Sequence, residues 1–146
     1  MRVDVLEFLK EIPSKKAQLE AIRRSQEEIR LALIPGGIRY DIDKVQTSPR
    51  DRMPEMMARL NELQIKEEGY KAVLLSDIDK ATNVINCVPT AEYRLLLRLR
   101  YINSWPRAMT WEKVADQMGY SVDHVKGYMH GRAVMEAREV WETLEG

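Results

Sequence analysis

The side chains best suited to ligating a transition metal or serving as an activated nucleophile, histidine and cysteine, are few in this sequence. It contains two histidines and one cysteine. His124 and His130 stand six residues apart on what reads as one helix, so they do not share a face as an i, i+4 metal pair does. Cys87 has no histidine near it in sequence and closes an apolar stripe, which reads as a packed thiol rather than a nucleophile. Asp77 and Asp79 lack the further acidic ligands of a calcium loop. Gly36-Gly37 lacks the Lys-Ser/Thr of a phosphate loop. No catalytic set converges, and the expectation is a protein that is not an enzyme and needs no metal or organic cofactor.

What remains is the binding of an anionic partner by cations. Between Arg94 and Arg132 stand seven cations and three anions, although the 23 basic and 23 acidic residues of the whole chain cancel. A uniformly basic nucleic-acid binder is thereby excluded, and only a local patch can do that work. Arg94 and Arg98 are one helical turn apart and share a face, where they can clamp phosphates. The competing reading is a solvated face paired to glutamates of a long helix.

The most informative stretch runs from Thr110 to Ala133. Thr110 is an N-cap, and Trp111, Val114, Ala115 and Met118 form one face of a short helix. Gly119 supplies the positive φ that ends it. Tyr120 reads as an apolar plug. Ser121 caps a second helix, with Val125 and either Tyr128 or Met129 facing inward. This is the sequence form of a helix-turn-helix. The second helix is then the reader, and its candidate DNA-facing residues are Ser121, Asp123, His124, Lys126, Gly127 and His130, joined by Arg94, Arg98 and Arg132 as phosphate contacts. Lys126 and His124 can donate to guanine or phosphate, and Asp123 can accept from cytosine. Gly127 costs the helix about 1 kcal/mol relative to Ala. It is either a place of close approach to DNA or a tolerated surface glycine.

The elements that must position this region read as helices throughout. Val3 to Ile12 has helical spacing and meets Pro13. Ser14 can cap a second helix, in which Leu19, Ile22, Ile29 and Leu33 share a face. Ile34-Pro35-Gly36-Gly37 stops it, and residues 38 to 52 read as a loop in which Tyr40, Ile42 and Val45 allow a short extended piece. Either Ser48 or Asp51 can cap the next helix. From about Met53 to Cys87, apolar residues recur at steps of three and four, a coiled-coil-like period broken where Glu67 falls on the seam. Its partner is the preceding helix, the same helix of a second copy, or both. Pro89 ends this helix, Thr90 caps its successor, and that segment runs from Ala91 to Ile102. Trp141 and Leu144 near the end read as packing residues. The opening MRVDVLEFLKEIP has charges within its apolar run and is not read as a secretory signal; no apolar run is long enough to span a membrane.

The segments RLLLRLRYINSW, TWEKVADQMGYSVDHV and HGRAVMEA resemble region 4 of bacterial sigma factors. More closely they resemble the phage transcriptional regulators of the RinA and ArpU type, and Lys44-Val45-Gln46-Thr47-Ser48-Pro49 before a long helix is a further feature of that family. The likeness covers roughly residues 40 to 140. It departs from the pattern in one respect: the second helix is one residue longer between Val125 and His130. The resemblance implies an all-α fold, a long coiled-coil-like helical hairpin followed by a C-terminal sigma region 4-like helix-turn-helix bundle. It implies a helical arm at 1–88 serving as dimerisation region and a DNA-binding domain at 89–146. The expected protein is a cytoplasmic, homodimeric regulator in a bacterial host. Its expected partner is double-stranded DNA, with RNA polymerase as a candidate second partner. The alternatives are a DNA-recognition subunit of a phage packaging machine, of the small terminase type, and a sigma-like polymerase-binding protein. Fold alone does not separate them.

Overall fold

Leu9, Ile12 and Lys16 are buried on both sides of Pro13, and helix α1 (Val5–Leu33) runs through the proline without stopping. The computed structural model describes residues 3–34, 49–103, 105 and 107–145. Among them all regular structure is helical and no strand occurs. The expected break at Pro13 with a cap at Ser14 is therefore absent. Proline removes one amide and leaves the carbonyl of Leu9 without its i+4 donor. Burial of Val5, Leu9, Ile12 and Lys16 at steps of three and four on one line holds the two halves in register across that gap.

Helix α2 (Pro49–Asn86) begins four residues before the expected start at Met53 and ends one residue before Cys87. Proline is well suited to the first helical position, where the missing amide has no intrahelical partner. Asp51 lies inside the helix and is not its cap, while Ser48 and the proposed extended piece at Tyr40, Ile42 and Val45 lie outside the described residues. No described helix is long and apolar enough to cross a membrane.

The chain forms two compact units, Gln18–Ala72 and Met1–Ala17 together with Val73–Gly146. In the first, Leu19, Leu60 and Leu63 are buried together with the amide side chain of Gln26. Glu67, the polar interruption in the apolar period, accepts from Arg23 Nε at 3.0 Å and from Gln26 Nε2 at 3.1 Å. The Arg23 hydrogen bond, followed by that of Gln26, holds its carboxyl below the ordinary carboxylate range.

The second unit is not confined to residues 89–146. The start of α1 belongs to it because Phe8 packs on Trp141 with ring centroids 4.9 Å apart. Trp141 Nε1 donates to the carbonyl of Val3 at 3.0 Å. Arg138 grips both carboxylate oxygens of Asp4 at 2.8 and 3.0 Å. Helix α3 (Ala91–Leu97) lies beyond Pro89 and continues into a π-helical turn, Arg98–Ile102, closed by a 2.8 Å bond from Asn103 N to the carbonyl of Arg98. Thr90 does not cap α3 through its hydroxyl. Its amide and hydroxyl both donate to the Glu136 carboxylate, at 3.1 and 2.8 Å.

Helix α4 (Trp111–Met118) starts as expected, with Thr110 Oγ1 accepting from Lys113 N. It ends at Gly119, whose φ of 81° lets its amide and that of Tyr120 both reach the Ala115 carbonyl. Ser121 Oγ then accepts from His124 N at 3.1 Å and opens α5 (Val122–His124). A π-helical turn, Val125–Met129, leads directly into α6 (His130–Glu145), the amide of His130 donating to the Val125 carbonyl five residues back. Val125, Met129, Ala133 and Ala137 are all buried, and α6 packs on α3. Trp141 is buried as expected, whereas Leu144 and Cys87 are exposed. Cys87 comes just after the last helical residue of α2 and lies outside the stripe that buries Val84 and Ile85.

Two substitutions test these backbone assignments by thermal unfolding. Pro13→Ala returns the amide that the Leu9 carbonyl lacks and is expected to raise stability by about 1–3 kcal/mol. Gly119→Ala forces a side chain into the left-handed region and is expected to lower it by about 1–2 kcal/mol. A lower melting midpoint for the first, or an unchanged one for the second, would contradict the geometry described.

Candidate nucleic-acid interface

The residues from Ser121 to Arg132 divide into an inner and an outer line. On the inner line Val125 and Met129 are 0% and 2% exposed. Of the two inward alternatives, Met129 is the buried one and Tyr128 is 52% exposed. His130 belongs inside as well, against expectation. Its Nε2 is 2.7 Å from the Tyr101 hydroxyl, and its ring meets the edge of Trp111 with centroids 4.8 Å apart. Burial, and then the charges of Arg100 and Lys10, lower its pKa from 6.5 to about 4. The ring is therefore neutral near pH 7 and cannot serve as an exposed reader. Burial also holds the Tyr101 hydroxyl above its usual value.

This inner cluster is rich in cations. The Arg100 guanidinium lies 4.2 Å from the Trp111 ring centroid and donates to the Met109 carbonyl, leaving its buried Nε without a hydrogen bond. Lys16, itself buried, donates to the Ile102 carbonyl at the end of the first π turn. Desolvation lowers the Lys16 pKa.

The arginines proposed as a phosphate clamp do other work. Arg94 Nη1 donates to the carbonyls of Val88 and Pro89, at 2.6 and 3.1 Å. Arg98 donates to Asn86 Oδ1. Both guanidiniums close the C-terminal end of α2 and the short link to α3, where carbonyls lack helical partners. Neither arginine pairs with a glutamate among the described residues.

The outer line carries the remaining expected residues. Ser121, Asp123, His124, Lys126 and Gly127 are all exposed, although the Ser121 hydroxyl is committed as a cap. A Cβ placed on Gly127 would meet nothing within 4 Å, so no contact within the fold demands glycine there. Arg132 is exposed, and its guanidinium lies 5.1 Å from the Tyr128 ring centroid. His124 stacks on Tyr128 at 5.3 Å with 17° between planes, and lies 5.1 Å from Tyr120. Tyr120 is not a plug. It is 39% exposed and its hydroxyl donates to Glu92 at 2.9 Å, which pushes the phenol pKa upward. The outer surface thus carries an aromatic ridge, Tyr120–His124–Tyr128–Arg132, that the reading of the sequence did not single out. Its signal was present as spacing, since His124, Tyr128 and Arg132 are successive i, i+4 neighbours and Tyr120 stands in the turn just before them.

Among the described residues Lys126, Arg132 and the α4 residue Lys113 form no ion pair, while Arg138 is engaged by Asp4. The surface around the second helix therefore offers cationic donors that are in no ion pair among the described residues. No protein-family model, curated protein or solved structure matches this chain.

The buried histidine gives a pH test. Its folded-state pKa lies below the unfolded value of 6.5, so the fold favours the neutral ring. That contribution is complete above pH 6.5 and is lost progressively as pH falls toward 4. His130→Gln, which keeps a hydrogen-bonding group but does not titrate, is expected to flatten the fall in melting temperature across this window. Parallel curves for the two proteins would place the acid sensitivity elsewhere.

Proposed function

We propose that this protein binds double-stranded DNA and regulates transcription, as the phage regulators that its last third resembles are expected to do. In this reading α4, the Gly119 turn and the helix that starts at Val122 form a helix-turn-helix of the sigma region 4 kind. The Gln18–Ala72 unit is a coiled-coil-like hairpin through which two copies dimerise. The observation that carries the proposal is the exposure of His124 and Lys126 beside a fully buried Val125, with the Lys126 ammonium unpaired among the described residues. In a helix-turn-helix this is the part of the second helix that enters the major groove. A lysine there can donate to guanine O6 and N7 or to a phosphate, and Asp123 one turn earlier can accept from cytosine N4. Arg94, Arg98 and His130 drop out of the proposed interface because their polar groups serve the fold.

The chain's charge balance makes a particular binding behaviour expected. With 23 cations and 23 anions overall, non-specific attraction to DNA is weak, and binding depends on a local patch. Duplexes selected from a random library should bind with an affinity that falls as salt rises. Lys126→Glu should weaken that binding at least about tenfold, since one good base contact contributes about 1–3 kcal/mol. Fluorescence anisotropy at several salt concentrations measures both. Absence of salt-dependent duplex binding by the wild-type protein, or equal binding by the variant, would sink the proposal.

A further inference from the structure

We infer that Tyr128 and Arg132 together hold one phosphate of the duplex backbone. The inference rests on the DNA-binding reading above and extends it to a residue that the reading did not use. Tyr128 is flanked one turn before by the stacked ring of His124 and one turn after by the Arg132 guanidinium. With both neighbours against it, the ring is not a free platform on which a base can stack. What it presents outward is its hydroxyl. Tyr101 and Tyr120 have their hydroxyls joined to His130 and Glu92, at 2.7 and 2.9 Å, whereas the Tyr128 hydroxyl has no hydrogen-bond partner among the described residues.

Arg132 differs from its neighbours in the same way. Arg94, Arg98, Arg100 and Arg138 each donate to a carbonyl, an amide oxygen or a carboxylate, while among the described residues Arg132 makes only its contact with the Tyr128 ring. The nearest carboxylate on its own helix face, that of Glu136, is turned to Thr90 and accepts two hydrogen bonds there. A guanidinium beside an aromatic ring keeps its N–H edge outward, which is the fork that matches phosphate oxygens. Hydroxyl and guanidinium lie on one side of the helix, four residues apart. Contacts of this kind set register on the duplex and leave sequence reading to other residues, here Lys126 and Asp123.

The test uses the full-length protein and a duplex selected by the wild type. Tyr128→Phe removes one oxygen from a half-exposed ring and is expected to weaken binding about fivefold to tenfold, since a hydroxyl bonded to an anion is at the strong end of neutral donors. The selected sequence and the salt slope should not change. Arg132→Gln is expected to weaken binding and to reduce the salt slope by about one. Both variants should melt with the wild type. A scan of single uncharged methylphosphonate substitutions should find one backbone position at which the wild type is weakened and Tyr128→Phe causes no further loss. Wild-type affinity in both variants, while Lys126→Glu still weakens binding, would overturn the phosphate contact and leave the DNA-binding reading intact. A changed sequence preference in Tyr128→Phe without any coupled backbone position would overturn it in favour of a base contact. Absence of duplex binding by the wild type would remove both.

Discussion

The second half of the molecule is governed by the need to bury Val125, Met129, Ala133 and Ala137 on a single line. These residues recur every four positions, and in a regular α-helix a four-residue step drifts by about 40° around the axis. Three such steps would carry Ala137 well away from Val125. The π turn at Val125–Met129, with one more residue than an α turn, takes up part of that drift. The same adjustment rotates what lies outside. His124, Tyr128 and Arg132 stay together as a ridge, and His130 swings in to Tyr101 and Trp111.

Charge is sorted by the same packing. A surplus of cations between Arg94 and Arg132 reads from the sequence as one electrostatic patch, yet the fold divides six of those seven cations into two populations. Arg94 and Arg98 neutralise carbonyl and amide oxygens around the end of α2, and Arg100 lies under α4 against Trp111. Lys113, Lys126 and Arg132 keep their donors outward. Arginine is suited to the first role because its planar fork reaches several oxygens at once and stacks on rings while charged. A count of charges along a sequence cannot make this distinction, because it depends on which helix ends need closing.

Much of the helical layout was legible. The caps at Thr110 and Ser121, the left-handed Gly119 and the stretch between them followed from residue types with strong local preferences. The long α2 followed from sustained spacing. What was not legible was tertiary. Pro13 breaks an isolated helix, but here buried side chains on either side hold it. Thr90 is a favourable cap by type, but Glu136, 46 residues away, takes both its donors. His130 looked exposed on a 3.6-residue period, and only a wide turn, which leaves no clear residue signature, moved it inward. Cys87 and Tyr120 were assigned to the interior for their apolar character, and each lies just past a helix end, where that character does not fix direction.

The neutral His130 is the inner counterpart of that outward surface. Arg100 and the buried Lys16 make the inside of this unit cationic, the exposed Lys10 adds its field, and an imidazolium there would add like charge in a poorly solvated place. A neutral ring can instead share a proton with Tyr101 while packing on Trp111, joining the end of α3, the start of α4 and the start of α6 through one side chain. That junction restrains the helix beginning at Val122 from within, without using any residue of its outer line. On the outer line the Ser121 hydroxyl still caps the helix, whereas a Cβ on Gly127 would meet nothing within 4 Å and the polar ends of Lys126, Tyr128 and Arg132 close no internal hydrogen bond among the described residues.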